Sequence, residues 1–356
     1  MHADELQAAV HGIVLAGVHA WGESVLERVS TRPLLPLAGR PVVWYVLHWL
    51  RQNGCCRASI CANSDTQAFR GCLGDGRALG VELSYYEDVM PRGPAGCMRD
   101  AAAGRSAEVF VVVDGTIVTQ VDLQAVLQTH RACKADLTVV VRESAHPGRD
   151  ALLEPAGIYV ASPTVLPSIK PRGYQDIKEM LIPTLYRQGL RVIPYPVSPQ
   201  SSVRVTGAAS YLAANGWVAE WAAGSDAWVG PRVHASARVA KSACLAGPVM
   251  VGPNCTIGEN VTLAGPTTIG AGCRIERDSV IRRAALWSRC RIGAGAIIDD
   301  SIVVDDAVIE PETVIRETVW LERDRGSSDR RAKYWALPAS EVTPRTNLDA
   351  VPAVDR

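Results

Sequence analysis

The chain has 356 residues, in which 37 Lys plus Arg balance 37 Asp plus Glu. At about 100–200 residues per domain this length predicts two domains, and the balanced charge gives no overall field that would attract nucleic acid. No apolar run approaches the ~18 residues that span a bilayer, and the N-terminus lacks the basic leader and cleavage site of a signal peptide. We therefore expect a cytoplasmic protein that binds neither nucleic acid nor membranes.

The first half of the chain alternates strand patterns with helix patterns. The predicted strands are His11–Ala16, Ala58–Ala62, Val109–Val113 and Leu137–Val141, and the predicted helices are Pro41–Gln52 and Leu123–Ala132. Such an alternation predicts a mostly parallel α/β sheet covered by helices on both faces. Ligands of these sheets bind at the carboxyl ends of the strands.

Ten cysteines are scattered along the chain. They form no CxxC pair and no Cys/His spacing of the kind that binds zinc. We therefore expect small buried thiols and not disulfides or a metal site.

The second half carries a strict period of six. Aliphatic residues recur at Val233, Val239, Leu245, Val251, Ile257, Leu263, Ile269, Ile275 and Ile281, and the position four further on is restricted to Ala, Val, Cys, Thr or Ser. Neither a helix nor an alternating strand has this period, whereas a triangular parallel β-helix of hexapeptide repeats does. At ~18 residues per coil the pattern predicts about five left-handed coils. The register slips after Trp287 and again before Val308, which together with Val314 is predicted to point inward.

Many such coils are acyltransferases with a histidine base, so histidines decide this alternative. His234 lies at the first coil and no histidine follows it. Without a general base near pH 7 acyl transfer loses its support, and His234 is expected to be exposed. The coil is expected to be a structural element through which the protein forms a homo- or hetero-oligomer.

These patterns divide the chain into three parts. An α/β domain is expected over 1–228, a left-handed β-helix over 229–321 and a mobile tail over 322–356. Within the tail, the pair Tyr334–Trp335 is expected to dock.

Several motifs of the first half resemble those of one enzyme family in order and spacing. The family's opening and its PKPLLPV segment resemble Leu15-Ala16-Gly17 and Thr31-Arg32-Pro33-Leu34-Leu35-Pro36; its LGTAG loop resembles Arg92-Gly93-Pro94-Ala95-Gly96; its NGDxLTDxDL segment resembles Val113-Asp114-Gly115-Thr116-Ile117-Val118-Thr119-Gln120-Val121-Asp122-Leu123; its NAGIY strand resembles Ala156-Gly157-Ile158-Tyr159. The sequence is similar to the sugar-1-phosphate nucleotidyltransferases, or NDP-sugar pyrophosphorylases of the mannose-1-phosphate guanylyltransferase type, that carry a C-terminal β-helix. The resemblance implies a nucleotidyltransferase domain over 1–228.

The resemblance also implies a nucleotide or nucleotide-sugar pocket. Its residues here would be Leu15, Ala16, Gly17, Arg32, Gly93, Ala95, Gly96 and Gly115. The loops of such a pocket bring backbone N–H groups close to phosphates, which glycine permits.

Departures from the family fall on the residues that carry its chemistry. The phosphate turn contains Val18, Ala20 and Trp21, with Gly22 in place of an arginine. The two metal-binding aspartates align with Thr116 and Arg204, the activating lysine with Arg32, and the sugar-contacting asparagine with Pro155. Hard cations such as Mg²⁺ require carboxylate oxygens, so the loss of both aspartates weighs most.

Two hypotheses about the function follow. The favoured one is a pseudoenzyme, catalytically silent or weak, that acts in nucleotide-sugar binding, regulation or scaffolding. The alternative is an active sugar-1-phosphate nucleotidyltransferase whose Mg²⁺ is held by displaced acids such as Asp114, Asp122, Glu87 or Asp88. No catalytic residue is assigned; Arg32 and Asp114 are the remaining catalytic candidates, and Asp114 is the remaining metal-ligand candidate.

Overall fold

The computed structural model describes residues 10–17, 25–62, 66–87, 92–143, 153–223, 232–321 and 334–336. The chain divides into two compact units, with the main break between Val205 and Thr206. The domain boundary that the sequence places after residue 228 stays a prediction. Among the described helices, none is long and apolar enough to cross a membrane.

The first unit alternates strands and helices as predicted. Its strands are β1 (Val10–Leu15), β2 (Pro36–Leu37), β3 (Arg40–Pro41), β4 (Arg57–Ala62), β5 (Glu82–Glu87), β6 (Val109–Asp114), β7 (Ile117–Thr119), β8 (Leu137–Glu143), β9 (Leu153–Ala161), β10 (Val192–Pro196) and β11 (Ser202–Arg204). Its helices are α1 (Val42–Gln52), α2 (Thr66–Leu73), α3 (Gly93–Ala102), α4 (Leu123–Ala132) and α5 (Ile182–Arg187), the last preceded by a π-helical turn (Ile177–Leu181). Short 3₁₀ turns cover Val25–Arg28, Arg32–Leu34, Arg77–Leu79, Pro163–Ser168 and Pro199–Ser201.

A seven-stranded sheet organises this unit in the order β10-β8-β9-β6-β1-β4-β5. Strand β9 runs antiparallel to both β6 and β8, and the other neighbours are parallel. The predicted mostly parallel sheet is therefore confirmed. Because β1, β4, β5 and β6 are parallel, their carboxyl ends meet at one edge, where ligands of α/β sheets bind.

Alternation along the central strand explains why both faces of the sheet are covered. Ile13 belongs to the apolar cluster that includes Ala95 and Met98 of α3, whereas Val14 belongs to the cluster that includes Val43 and Leu47 of α1. Successive side chains of a strand point to opposite faces, so one buried strand supplies both cores.

The second unit consists of a helix and a coil of short strands. The helix is α6 (Ala208–Ala223). The strands are β12 (Arg232–Val233), β13 (Arg238–Val239), β14 (Cys244–Ala246), β15 (Val249–Val251), β16 (Thr256–Ile257), β17 (Thr262–Ala264), β18 (Thr267–Ile269), β19 (Arg274–Ile275), β20 (Val280–Arg282), β21 (Ala285–Leu286), β22 (Arg291–Ile292), β23 (Ile297–Asp299), β24 (Ile302–Val303), β25 (Val308–Ile309), β26 (Val314–Arg316), β27 (Thr318–Trp320) and β28 (Tyr334–Ala336).

Three parallel sheets form the sides of this coil. Every third strand pairs with the next in each of the series that start at β12, β13 and β14, which gives the predicted left-handed parallel β-helix. The helix α6 packs on the first of these sides: Trp287 Nε1 donates to Tyr211 Oη at 2.8 Å, and Thr268 Oγ1 donates to Asn215 Oδ1 at 2.8 Å.

The coil register shortens earlier than predicted. Leu263 pairs with Ile281, 18 residues on, whereas Ile269 pairs with Leu286, 17 residues on. All later pairs keep the repeat of 17 residues. In each of these turns one residue is missing just before the strand of the first side, which is β21, β24 or β27.

The inward positions predicted at Val308 and Val314 are consequently wrong. Val308 and Val314 are 50% and 56% exposed, and their neighbours Ile309 and Ile315 are buried in the coil instead. A slip of one residue turns each side chain to the opposite face of its strand.

The interior of the coil confirms the small positions. Cys255, Cys273 and Cys290 are buried, and the first two donate to the carbonyls of Gly270 and Trp287 at 2.9 Å each. All ten cysteines are free thiols, six of them buried.

The segment Tyr334–Ala336 pairs antiparallel with β27 through Trp320 and Tyr334. The docking predicted for Tyr334–Trp335 is therefore confirmed. The rest of the predicted tail, 322–333 and 337–356, lies outside the described residues.

Candidate functional site

The carboxyl ends of β1 and β6 bring four predicted site residues together. Leu15 lies opposite Asp114 in the ladder, and the backbone N–H of Gly115 donates to the carbonyl of Leu15 at 2.9 Å. A Cβ on Gly115 would lie 3.2 Å from Cα of the buried Ala16, so this turn requires a small residue. Gly17 follows directly and is half-buried.

The carboxylate of Asp114 is held by its own turn. Its Oδ1 accepts hydrogen bonds from the backbone N–H of Thr116 at 2.9 Å and from the hydroxyl of Thr116 at 2.7 Å. The residue at the first predicted metal-ligand position therefore serves to fix Asp114.

Arg204 closes over the same carboxylate from the other side. Strand β11 pairs antiparallel with β7, with Arg204 opposite Ile117, and this ladder places Arg204 Nε 3.2 Å from Asp114 Oδ2. The ion pair is part-exposed, since the two side chains are 27% and 29% accessible. Arg204 Nε itself is buried and has no hydrogen-bond acceptor of suitable geometry among the described residues.

Gly157 makes room for this arginine. Its φ is +89°, which favours glycine, and any side chain there would overlap Arg204 Nη2. The predicted NAGIY-like strand therefore contributes the space that the guanidinium fills.

The groups around the Asp114 carboxylate do not fit a divalent metal ion. Both oxygens of Asp114 have partners, and a fixed guanidinium lies 3.2 Å from one of them, so a second cation at the same oxygen would be repelled. Within the described ranges, no three His, Cys, Asp or Glu side chains form a group that could hold a metal ion. Asp114 is thus unsuited to the metal-binding role for which it was the candidate.

Tyr159 interacts electrostatically with both members of this pair. Burial raises the pKa of Tyr159 far above its ordinary value, and the positive charge of Arg204 opposes that shift. Tyr159 is therefore a neutral donor at pH 7 and supplies no negative charge to the site.

Of the other acids proposed as displaced metal ligands, Asp122 and Glu87 lie in the described ranges and form no group with Asp114 that could hold a metal ion. Asp122 caps α4 by accepting from the backbone N–H of Ala125 at 3.1 Å, and Glu87 is exposed at the end of β5. Pro155 lies in β9 opposite Val141. Asp88 and the phosphate-turn residues 18–22 lie outside the described residues.

Arg32 is engaged by a neighbour. Its Nε forms an ion pair with Glu27 Oε1. Among the described residues no hydrogen bond or ion pair connects Arg32 with Asp114, so these two catalytic candidates do not act as one unit. A partner five residues away has no signature in the sequence that would have identified it.

The loop at Gly93 packs against the backbone of Gln175. Gly93 has φ +72°, and a Cβ there would lie 2.6 Å from the carbonyl oxygen of Gln175. That carbonyl accepts the N–H of Ala95 at 3.0 Å, while a Cβ on the buried Gly96 would meet Cβ of Arg92 at 2.6 Å. Gly93, Ala95 and Gly96 therefore form a tight helix start that contacts Gln175, a residue the sequence did not single out.

At the start of the coil, His234 is exposed, as predicted. Its Nδ1 hydrogen-bonds with Ser236 Oγ at 2.9 Å.

A mixed α/β sheet with a glycine-containing carboxyl edge, followed by a parallel β-helix, defines a nucleotidyltransferase-type protein. Residues 13–149 match the family model described as nucleotidyl transferase, and residues 230–322 match the one described as GMPPB C-terminal domain. Together these matches and the relatives support a sugar-1-phosphate nucleotidyltransferase family for the chain.

Individual relatives are similar over part of the chain. A mannose-1-phosphate guanylyltransferase of Mycobacterium tuberculosis is 27% identical over 130 residues, which cover 36% of each protein. A mannose-1-phosphate guanylyltransferase catalytic subunit beta of Drosophila pseudoobscura pseudoobscura is 22% identical over 193 residues, 47% of this chain and 52% of the relative. A glucose-1-phosphate thymidylyltransferase of Mycolicibacterium smegmatis is 36% identical over 87 residues, 24% and 30% of the two chains. The matched segments thus span between 30% and 52% of the length of these three relatives.

Proposed function

We propose that this chain is a sugar-nucleotide pyrophosphorylase-like protein that binds a nucleotide or nucleotide-sugar and is catalytically silent or weak. The observation that carries the proposal is the ion pair between Arg204 and Asp114, 3.2 Å long, at the edge where nucleotides bind in such sheets. A fixed guanidinium here supplies positive charge without the Lewis acidity that a metal ion contributes to phosphoryl transfer.

Arg204 also supports the choice of ligand. Its side chain is 27% exposed beside Asp114, and guanidinium N–H groups that do not face the carboxylate can donate to a phosphate oxygen. Guanidinium groups bind phosphates through several N–H donors at once. We therefore propose that the diphosphate of a nucleotide-sugar binds at Arg204 without a metal.

Two measurements test this function. Calorimetric titration with a panel of nucleotide-sugars should give the same affinity in magnesium and in EDTA, and Arg204→Gln should weaken it about tenfold or more. Arg77→Gln is the matched control, because the side chain of Arg77 is 89% exposed and lies outside the site. Binding that requires magnesium would contradict the proposal.

The second candidate is an active nucleotidyltransferase, favoured by the similarity to relatives that are named as enzymes. It would need Mg²⁺ held by displaced acids, with Asp114 among them. Pyrophosphate release from nucleoside triphosphates and sugar-1-phosphates in magnesium distinguishes the two. Pyrophosphate release that is abolished by Asp114→Asn would establish the active enzyme and contradict the catalytically silent protein.

We further propose that the protein is cytoplasmic and that its hexapeptide-repeat coil mediates a homo- or hetero-oligomer. The Drosophila relative is named a catalytic subunit, which suggests an active partner for a silent homologue. Light scattering of the full chain, alone and with candidate partners, measures the assembly.

A further inference from the structure

A second polar pocket lies in the first unit at the amino-terminal edge of the sheet. Its volume is about 260 Å³, and its lining includes His11, Arg57, Glu82, Ser84 and Arg105. These residues come from the starts of β1, β4 and β5 and from the turn after α3. The pocket is therefore at the edge of the sheet opposite to Asp114.

A chain of hydrogen bonds runs from the buried His11 through Ser59 to the wall of this pocket. His11 Nε2 hydrogen-bonds with Ser59 Oγ at 2.8 Å, and Ser59 Oγ with Ser84 Oγ at 3.0 Å. Arg105 Nη2 donates to Ser84 Oγ at 2.8 Å, which fixes the guanidinium at the pocket wall. His11 and Ser59 are 4% and 0% exposed, so the chain is rigidly packed at its inner end.

The donors at the pocket wall favour an anion. Arg105 Nε donates to the carbonyl of Ala101 at 2.7 Å, so its hydrogen bonds hold the group in one orientation. A guanidinium carries five N–H donors, and these two bonds occupy two of them. Arg57 supplies a second guanidinium, and Ser84 a hydroxyl, in the same cavity.

One acid opposes this preference. Glu82 lies directly opposite Arg57 in the ladder between β4 and β5 and also lines the cavity. Among the described residues that line the cavity, two arginines accompany one glutamate, and the small volume restricts the ligand to a compact group.

We propose that this pocket binds a phosphate-type oxyanion between Arg57 and Arg105. The occupant is inorganic phosphate or the phosphate group of a sugar-1-phosphate, which share this chemistry. The site is distinct from the nucleotide edge, and its existence does not depend on the proposed function.

Calorimetry with inorganic phosphate and, separately, with glucose-1-phosphate tests the site and identifies the source. Arg105→Ala should weaken phosphate binding about tenfold, because it removes a charge-assisted donor pair, while Arg77→Ala should change it by less than about twofold. Arg204→Gln should also leave this binding unchanged, which separates the pocket from the nucleotide edge. Loss of phosphate binding in Arg204→Gln with retention in Arg105→Ala would overturn the proposal, as would the absence of binding to the wild type.

Glu82→Gln removes a negative charge from the pocket wall while the side chain keeps nearly the same shape. Removing the opposing carboxylate should tighten phosphate binding about two- to fivefold, an effect that a merely structural role does not produce. Unchanged or weaker binding would contradict the site.

NMR of the His11 ring gives an independent readout. Burial and the charges of Arg105 and Arg57 lower the pKa of His11 to about 4. A bound phosphate neutralises part of that charge, so the pKa of His11 should rise when phosphate is added. No rise at saturating phosphate would overturn the proposal.

Discussion

Arg204 and Asp114 are ninety residues apart in the sequence and lie 3.2 Å apart at the carboxyl edge of the sheet. The pairing places a positive charge that is part of the chain beside the carboxylate. An arginine keeps its charge at any accessible pH, so the carboxylate is compensated without a metal. The same geometry determines what the edge can bind and what chemistry it can support.

Restoring both aspartates should restore metal binding. The double variant Thr116→Asp with Arg204→Asp removes the competing guanidinium and adds two hard oxygen ligands beside Asp114. We expect it to bind Mn²⁺, measured by electron paramagnetic resonance, whereas the wild type and the charge-only control Arg204→Gln do not. Equal binding by the wild type would show that the ion pair does not exclude cations.

The contact between α6 and the coil includes the buried hydrogen bond from Trp287 to Tyr211. Tyr211→Phe leaves Trp287 Nε1 without its acceptor at a site where both side chains are almost fully buried. The expected cost is about 1–3 kcal/mol of unfolding free energy, the penalty for an unsatisfied buried donor. Denaturant unfolding followed by circular dichroism measures it. Tyr186→Phe, at a side chain 59% exposed, is the control and should have no effect; a similar shift in both variants would contradict the argument.

The cysteines should differ sharply in reactivity. Cys72 and Cys244 are exposed, whereas Cys255 and Cys273 are buried in the coil, where hydrogen bonding between the thiols and burial raise the pKa of Cys255. Only thiolates react readily with alkylating reagents, so iodoacetamide should label the exposed pair in the native protein. Peptide mapping by mass spectrometry identifies the sites, and denatured protein serves as the control. Rapid native labelling of Cys273 would show that the coil opens.

Stability should fall in acid because of His11. Its pKa is about 4 in the folded protein and near 6.5 when unfolded, so between these values the unfolded chain binds more protons. His11 therefore favours the folded state fully above about pH 6.5, and this contribution decreases as the pH falls towards 4. The loss is roughly 3 kcal/mol at most. His11→Gln should flatten this part of the stability profile relative to the wild type; parallel profiles would exclude His11 as the cause.

Local patterns predicted most of the fold. The helix Leu123–Ala132 has the predicted bounds, and the other predicted strands and helices of the first half differ by a residue or two at their ends. The period of six predicted the coil and its buried small residues, because each side of the coil repeats the same local packing. The period of six does not indicate which turns of the coil omit a residue. For that reason Val308 and Val314 were predicted to point into the coil.

The candidate site was predictable only in part. Leu15, Ala16, Asp114 and Gly115 meet as expected, since adjacent parallel strands end together. The closure of Gly93 by Gln175 was not predictable, because no pattern near either residue refers to the other.

By itself the sequence determined the two architectures and predicted the edge of the sheet where we propose that a ligand binds. Both follow from the spacing of apolar and small residues, which is a local property of the chain. Only the tertiary structure decided that Arg204 lies on Asp114 and that Arg105 and Arg57 share a cavity with His11. The physical reason is that charges act through space. Their effect depends on distances that strand pairing sets, and those distances cannot be read from positions along the chain.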